Sequence, residues 1–374
     1  MAETKTAAAE KDTVAAQQKL FEVEQIRLTL ADKFLIPPFT VLDARAGYWQ
    51  GRKRDWLSLG IRSELGRDEG LLGFEAMVEN KVCPTCGGTG MADDRGTKCH
   101  HCQGTGNQYN NYQGLGTTSV FDPVLCEVAI RWFTPPGGKV LDPFAGGSVR
   151  GIVAGALGRE YIGIDLRQEQ VMSNYEQVKV VRLKHKLEPS PEWVVADSRD
   201  LPRIVGQHKF DGAFTCPPYF DLEQYSDDPR DLSNASSWGD FSNAHREIIS
   251  HTANALADDA FAVWVIGEIR DKDGKYRGFV PDTIGAFANC GMAFYNEAIL
   301  ATMLGTAPVR TSKQFGVGRK LGKVHQNVMV FVKGDPKKAA DKIPVREVAM
   351  EQGGLVWHAD TTAELDGEEL DARG

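Results

Sequence analysis

The sequence predicts an α/β protein whose doubly wound, mostly parallel sheet carries a small cysteine-rich insertion. From Phe121 onward, apolar segments of strand length (K-V-L-D, Y-I-G-I-D, W-V-V-A-D and F-D-G-A-F-T) alternate with segments of helix length. The alternation continues to V-H-Q-N-V-M-V-F-V-K-G, residues 324–334, which predicts a last strand. Repeated βα units of this kind build parallel sheets. Two C-x-x-C pairs precede them in a segment without periodicity, which predicts an insertion held by a site of its own.

The composition excludes several classes of protein. The chain has 374 residues, of which 42% are hydrophobic and 25% charged, and this excludes a disordered or fibrous chain. Its formal net charge of −8 argues against coating nucleic acid through bulk charge, although basic strips can still grip a polyanion locally. No apolar run reaches the roughly 18 residues of a membrane helix, and the first residues lack the apolar core of a secretory signal. We therefore expect a cytoplasmic protein without a membrane partner.

Shifts in composition divide the chain into five predicted segments. An N-terminal extension, expected to be partly disordered, precedes an aromatic and basic segment that packs on the core. Trp49 and Trp56 of this second segment are large enough to need burial. The cysteine-rich insertion, the α/β domain and a charged tail complete the chain. The predicted bounds, in that order, are residues 1–33, 34–80, 81–118, 119–334 and 335–374.

Four of the seven cysteines form two knuckles, C-P-T-C-G-G-T-G and C-H-H-C-Q-G-T-G, with twelve residues between Cys86 and Cys99. Two residues between thiolates let one tight turn present both sulfurs to one metal, and the glycines that follow permit a left-handed backbone. Four sulfurs complete a closed tetrahedral zinc site that has no open position for catalysis. The predicted ligands of a structural Zn²⁺ are Cys83, Cys86, Cys99 and Cys102. The repeated C-x-x-C-x-G-T-G is similar, over about 24 residues, to the cysteine-rich region of J-domain co-chaperones. This likeness implies a zinc knuckle and not a chaperone, because no J-domain signature accompanies it.

A glycine-rich turn and acidic residues follow the predicted strands. Residues 139–151, K-V-L-D-P-F-A-G-G-S-V-R-G, are a strand that runs into a turn where glycines let a ligand approach the backbone. Asp165 ends the second strand, 23 residues after Asp142, where an acid can accept both ribose hydroxyls of an adenosine. Asp197 ends the third strand, well placed to meet an adenine exocyclic amine. The G-x-G-x-x-G of dinucleotide sites and the G-K-[ST] of triphosphate sites are absent, and acids suit a cationic adenosyl sulfonium better than a pyrophosphate.

The segment F-D-G-A-F-T-C-P-P-Y-F resembles the S-adenosylmethionine-dependent DNA amino-methyltransferases, whose signature is D/N/S-P-P-Y/F. D-P-F-A-G-G resembles the glycine loop of that family, and F-D-P-V-L, residues 121–125, resembles the segment that precedes the loop. The resemblance spans about residues 119–334. It implies a Rossmann-like methyltransferase sheet, S-adenosyl-L-methionine as cofactor, and methylation of the exocyclic amine of cytosine (N4) or adenine (N6) in double-stranded DNA. The implied catalytic residues are Cys216, Pro217, Pro218 and Tyr219, and the implied cofactor-binding residues are Phe121, Asp142, Phe144, Gly146, Gly147, Asp165 and Asp197.

Two features depart from the family pattern. Gly147 and Ser148 exchange the small-polar and glycine positions of the loop, and Cys216 stands where Asp, Asn or Ser accepts a hydrogen bond. A thiol is a weak acceptor. The physical logic still holds, because acceptors aimed at the hydrogens of a base amine free a lone pair that is otherwise delocalised into the ring. The prolines stiffen the turn so that backbone carbonyls point inward, and Tyr219 can stack on a base flipped out of the duplex.

Other functions stay open at this level. Methyltransferases that modify RNA guanine or a protein glutamine share P-P-Y. A protein of another class would be a zinc-dependent nucleic-acid-binding protein on an inactive methyltransferase core, with Cys216 marking the lost activity. A carbon-5 cytosine methyltransferase would use Cys216 as its nucleophile, but the turn of that family reads Pro then Cys, the reverse of the order here. The size of Cys216, closer to Ser than to Asp or Asn, slightly favours cytosine over adenine.

A basic strip near the end of the α/β domain is the predicted DNA contact. Its spacing fits no helical face, which predicts a mobile loop at the rim of the cleft, with Arg52, Lys53 and Arg54 as a further contact. Acids that follow P-P-Y would repel phosphate and leave few other places to hold DNA. The predicted DNA-binding residues are Arg310, Lys313, Arg319, Lys320 and Lys323.

Overall fold

The described part of the chain is built on a sheet of eight strands. The computed structural model describes residues 30–62, the single positions 86, 89, 91, 97 and 99, and residues 121–222, 225–304 and 307–344. Within these residues the strand order is β1-β7-β8-β6-β5-β2-β3-β4, and every neighbouring pair is parallel except the two that β8 forms with β6 and β7. The strands are β1 (Val41–Asp43), β2 (Lys139–Asp142), β3 (Glu160–Asp165), β4 (Glu192–Val195), β5 (Phe210–Thr215), β6 (Leu256–Ile266), β7 (Met292–Ala301) and β8 (His325–Lys333).

The order of the strands confirms the predicted α/β class with a mostly parallel sheet. The chain runs outward from β2 to β3 and β4, and then returns to place β5 on the other side of β2. Ligands of open α/β sheets bind outside the carboxyl ends of the strands at such a reversal. The helices are α1 (Leu30–Phe34), α2 (Gly47–Ser58), α3 (Pro123–Phe133), α4 (Val149–Ala156), α5 (Gln168–Arg182), α6 (Leu201–Val205), α7 (Trp238–Ala255), α8 (Phe279–Asn289), α9 (Ala307–Gly318) and α10 (Pro336–Asp341).

Contacts along the chain define two compact units. One comprises Met1–Pro38 with Val345–Gly374, and its described residues, 30–38, carry α1. The other, Phe39–Pro344, contains the sheet and the remaining helices named above. Among the helices that the structure describes, none combines the length and apolarity needed to cross a membrane.

Local sequence explains how strands β2, β3 and β4, called the cofactor half of the sheet below, are covered. Asp122 accepts the backbone N–H groups of Val124 and Leu125 and so caps α3, and Pro123 opens that helix with the φ it requires. Gly151 of α4 lies so close to the sheet that a Cβ there would stand 2.5 Å from the ring of Trp193. The glycine therefore sets how closely α4 approaches the strands.

The N-terminal segment docks on α3 through buried tryptophans. Trp49 and Trp56 of α2 are fully buried, as their size predicts, and their indole N–H groups donate to Asp122 (3.2 Å) and Glu127 (2.8 Å). Arg52 pairs with Glu127, which is fully buried, and Lys53 binds Asp122 at 3.0 Å. The expectation that Arg52 contacts DNA is therefore wrong, because this cation is bound to the buried Glu127 of α3. Lys53 pairs with Asp122, the cap of α3, and the expected contacts of Lys53 and Arg54 with DNA stay predictions.

The predicted mobile loop in the basic strip is also corrected, because residues 307–318 form α9. Pro308 suits the first turn of a helix, and Arg319 adopts a left-handed backbone (φ 53°) after Gly318, with its N–H donating to the carbonyl of Phe315. The apolar side chains of α9 give no buried stripe, since Val317 is 88% exposed. A helix without an apolar face leaves no periodic signal in the sequence.

Candidate active site

The turn after β2 and the turn after β5 leave the same edge of the sheet side by side. The two strands are parallel neighbours, with Val140 opposite Gly212 and Leu141 opposite Ala213. The glycine loop, residues 144–148, and the C-P-P-Y turn, residues 216–219, therefore flank the reversal in strand order. Two motifs that stand about seventy residues apart in the sequence meet in one cleft at the carboxyl edge.

The glycine loop presents its backbone to open space. Gly146 has φ of +50°, and a Cβ placed on it would meet no atom within 4 Å. Its N–H donates to Oδ2 of Asp165 at 2.9 Å, and its carbonyl accepts from Nδ2 of Asn174 at 2.8 Å. Gly147 beside it is half-buried. The loop is therefore held from β3 and α5 while the space above it stays open for a ligand.

Asp165 is the acid that joins the loop to the end of β3. Its Oδ1 accepts the N–H of Arg167 at 2.9 Å, and its Oδ2 accepts the N–H of Gly146. A carboxylate offers about four acceptor positions, so each oxygen keeps one for a ligand hydroxyl. Burial raises the pKa of Asp165 above its ordinary value. Open space at Gly146 beside an acid with spare acceptor positions fits the ribose of an adenosyl group.

Asp142 lies beneath the loop rather than in the cleft. Its fully buried carboxylate accepts from Nε of Arg150 (2.5 Å), the Tyr161 hydroxyl (2.7 Å) and the Thr215 hydroxyl (2.5 Å). Thr215 directly precedes the C-P-P-Y turn. The assignment of Asp142 as a residue that touches the cofactor is corrected: its oxygens bind side chains of α4, β3 and β5, and it positions both turns.

Arg150 is the site residue that the motifs did not indicate. Besides Asp142, its guanidinium donates to the carbonyls of Phe144 (2.5 Å) and Ala145 (2.8 Å) and lies 4.5 Å over the ring of Phe121. Although burial opposes its charge, the carboxylate of Asp142 raises the pKa of Arg150, and Cys216 lies near enough to contribute electrostatically. The signal in the sequence was a lone arginine inside an otherwise apolar and glycine-rich helix.

Asp197 is already engaged by a neighbouring cation. It caps a short 3₁₀ helix, Ser198–Asp200, and its Oδ2 lies 2.6 Å from the Nη2 of Arg199. The residue lies just after β4 and is nearly buried. A base amine that approached Asp197 would have to share the carboxylate with Arg199. The sequence shows that Asp197 follows a strand, but it does not show this ion pair.

The C-P-P-Y turn places a partly exposed thiol and a tyrosine at the cleft. Cys216 and Pro218 are half-buried and Pro217 is buried. The Tyr219 hydroxyl accepts a hydrogen bond from Nε2 of Gln326 at 3.1 Å, and its ring meets Phe279 edge-on at 6.3 Å. The ring is thus fixed from β8 and α8.

Two of the predicted cofactor residues, Phe121 and Phe144, pack on aromatic residues of the core. Phe121 packs edge-on against Phe214, with ring centroids 5.6 Å apart. Phe144 packs on His245 (6.2 Å) and Trp264 (6.1 Å) and stays partly exposed. Phe144 is thus the first residue of the glycine loop, and Phe121 lies beside it under the guanidinium of Arg150.

Two of the four predicted zinc ligands lie within the described residues. Cys99 is buried and Cys86 packs against it. The carbonyl of Cys86 accepts from both the N–H (3.1 Å) and the hydroxyl (2.8 Å) of Thr89, which closes a tight turn after the first knuckle. Cys83 and Cys102 lie outside the described residues, and the described positions alone bring together no cluster of three metal-binding side chains.

Comparison with known proteins gives a family match within the cofactor half. A family model described as DNA methylase matches residues 97–176, a stretch that includes the glycine loop and Asp165 and ends before the C-P-P-Y turn. Over 60 residues the chain is 37% identical to the Type II methyltransferase M.SmaI of Serratia marcescens. The aligned stretch covers 16% of this chain and 20% of that protein. The chain thus spans about a fifth of the length of this curated relative.

Similar solved structures share low sequence identity with the chain. TrmN from Thermus thermophilus has a TM-score of 0.39 at 15% identity and covers 61% of this chain and 53% of its own. Magnesium protoporphyrin IX methyltransferase (ChlM) from Synechocystis PCC 6803 with bound SAM has a TM-score of 0.35 at 14% identity and covers 53% and 71%. The family match over residues 97–176 and the curated relative confirm the resemblance to the DNA amino-methyltransferases.

Proposed function

We propose that this chain is an S-adenosylmethionine-dependent DNA methyltransferase that methylates the exocyclic amine of a flipped-out cytosine (N4) or adenine (N6) in double-stranded DNA. The observation that carries the proposal is the meeting of the glycine loop, Asp165 and the C-P-P-Y turn at the carboxyl edge of β2, β3 and β5. The match of residues 97–176 to DNA methylases supports DNA as substrate.

The cofactor half supplies binding and orientation. Asp165 would hold the ribose through its spare acceptor positions, and the backbone of Gly146 and Gly147 would lie against the adenosyl group. Phe121 and Phe144 would border it with their rings. S-adenosylmethionine, when bound, would supply an electrophilic methyl group. The base amine would donate its electron pair to the methyl carbon as the carbon–sulfur bond breaks, with S-adenosylhomocysteine as the leaving group, and the methylated amine would release a proton to water.

The C-P-P-Y turn prepares the amine. Backbone carbonyls next to Pro217 and Pro218 act as the principal acceptors for the amine hydrogens, because a thiol at Cys216 accepts only weakly. Tyr219 offers its ring face for stacking on the flipped base, and its hydroxyl is held by Gln326. Arg150 ties this turn to the glycine loop through Asp142 and Thr215, so both substrates would meet in a fixed geometry.

The cysteine insertion is proposed to hold one structural Zn²⁺ through Cys83, Cys86, Cys99 and Cys102. The packing of Cys86 on buried Cys99 supports two knuckles that face one another. Elemental analysis of the purified protein should give about one zinc per chain, as a closed four-sulfur site requires. Zinc-free protein with an intact insertion would contradict this assignment.

Transfer of a tritiated methyl group to DNA, RNA and protein in parallel tests the function. We expect label in DNA alone. Label in RNA or protein would favour the guanine or glutamine methyltransferases, and binding of nucleic acid without any transfer would favour an inactive core. Mass spectrometry of nucleosides from DNA modified in a host without other methylases identifies the base. We favour N4-methylcytosine slightly, from the size of Cys216, and methyladenine alone would contradict that preference.

A further inference from the structure

Lys323 lies inside the catalytic cleft, away from the outer surface of the basic strip. β8 runs antiparallel to β6, with Asn327 opposite Ile266, so the residues that enter β8 lie beside the residues that leave β6. β6 in turn is the parallel neighbour of β5, which ends at the C-P-P-Y turn. The pairing therefore brings Lys323, two residues before β8, to the carboxyl edge.

The ammonium group of Lys323 and the ring of Tyr219 both lie against the backbone of Gly267. A Cβ placed on Gly267 would stand 2.9 Å from Nζ of Lys323 and 3.6 Å from Cε1 of Tyr219. The bare backbone of Gly267 thus leaves room for the lysine tip next to the tyrosine. The Tyr219 hydroxyl is held by Gln326 of β8. One wall of the cleft is therefore formed by Tyr219 together with Gln326 and Lys323.

This cation is half-buried without a paired acid. Among the residues that the structure describes, Lys323 has no hydrogen bond and no carboxylate within ion-pair distance. The carboxylate of Glu268, which follows Gly267, accepts hydrogen bonds from the backbone N–H groups of Gly278, Phe279 and Val280 at the start of α8. Burial lowers the pKa of Lys323, and Glu268 opposes this effect only in part. A cation that is withdrawn from water without a partner is costly, which is consistent with an acceptor that arrives from outside the chain.

We propose that Lys323 contacts the nucleotide that is methylated and donates a hydrogen bond to one of its oxygen acceptors, a base carbonyl or a phosphate. The proposal rests on the proposed DNA methyltransferase activity. It differs from a rim contact with the duplex because the ammonium group lies against Gly267 together with Tyr219, whereas the rim contact was assigned to the surface around α9.

The test compares Lys323→Met and Lys323→Arg with Lys186→Met in the full-length protein. Lys186 is exposed, pairs with Glu188 on the surface, and precedes β4 at the opposite edge of the sheet. The substrate is DNA from a host that lacks methylases. We expect Lys323→Met to lower the single-turnover rate of methyl transfer roughly tenfold to hundredfold, the range for one charge-assisted hydrogen bond. S-adenosylmethionine affinity, measured by calorimetry, should stay at the wild-type value in all variants.

The dependence of the rate on pH separates a contact with the nucleotide from a packing role. The charged and titratable groups around Lys323 are Glu268, Arg270, His325 and Tyr219. Because its pKa is lowered, wild-type activity should decline at alkaline pH as the ammonium loses its proton. Lys323→Arg should recover most of the rate and lack this decline, since arginine stays protonated.

The slope of log DNA affinity against log salt identifies the acceptor. Loss of a phosphate contact flattens the slope by roughly 0.9, whereas loss of a contact with a base carbonyl leaves it unchanged. Either slope, together with the reduced rate, supports the proposal. A wild-type rate in Lys323→Met would overturn the proposal and leave the methyltransferase intact. A wild-type protein that methylates no DNA would overturn the proposed function and, with it, the role of Lys323.

Discussion

Replacing Arg150 with methionine should strongly destabilise the protein, because it leaves a buried carboxylate without its cation. Asp142 is fully buried and would keep only the hydroxyl donors of Tyr161 and Thr215 and one backbone N–H. Removing one member of a buried ion pair costs about 3–5 kcal/mol. Lys139→Met is the matched control. Lys139 begins β2, the strand that Asp142 ends, and it pairs with Glu160 where both side chains are about half exposed. That substitution should cost at most about 1 kcal/mol.

Urea unfolding of the single variants and of the double variant Asp142→Asn/Arg150→Met measures the effect. The double variant removes both charges, so it should lose less stability than the sum of the single variants, by about 0.5–3 kcal/mol. The folded Arg150→Met protein should also bind S-adenosylmethionine more weakly, because the carbonyls of Phe144 and Ala145 lose their donor. The reasoning is refuted if Arg150→Met costs no more than Lys139→Met, or if the two single variants add without coupling.

Further predictions address the cofactor, the metal and the duplex. Asp165→Ala should weaken S-adenosylmethionine binding at least roughly tenfold in calorimetry, the scale of one charge-assisted hydrogen bond. Because the pKa of Asp165 is raised, acidification should protonate it, and so weaken the binding of S-adenosylmethionine by the wild type, at a higher pH than an ordinary aspartate would. Unchanged affinity in Asp165→Ala would show that this residue does not bind the cofactor. Chelation or Cys83→Ser should unfold residues 81–106 and leave the α/β core folded, as seen by hydrogen exchange, whereas loss of the whole unfolding transition would show that the insertion supports the core. Replacing Arg319 and Lys320 with alanine should flatten the salt dependence of DNA affinity by nearly two units, at roughly 0.9 for each phosphate contact, for all sequences alike; a wild-type slope would mean that this surface only faces water.

The arrangement of the glycine loop and Asp165 was predictable because its signals in the sequence are local. An apolar segment followed by a glycine or an acid indicates both a strand and the position of its carboxyl end. Parallel strands bring those ends to one edge of the sheet. The position of Asp165 beside Gly146 follows from this rule alone. The confirmed α/β class has the same origin, since it depends on alternating element types and not on particular contacts.

The remaining features depend on pairings over long distances in the sequence. Nothing near Lys323 indicates that β8 is antiparallel, yet that reversal carries the residue into the cleft. Arg150 and Asp142 meet within a few residues, but their burial follows from the sheet below them. Arg52 looks like part of a basic surface run, and only the position of Glu127 on α3 reveals that it is paired.

The docking of α2 on α3 limits where this protein can be cut or fused. A fragment that began at residue 119, where the α/β pattern starts, would lose the partners that α2 provides to Glu127 and would retain only Arg131, at 2.9 Å. Although burial opposes its charge, Arg52 and Arg131 together lower the pKa of Glu127. In the fragment Glu127 would lose Arg52 and Trp56 and keep Arg131, so burial would raise its pKa with less opposition. A transplantable α/β module has to begin by residue 39, where the second compact unit starts, and carry α2 with it.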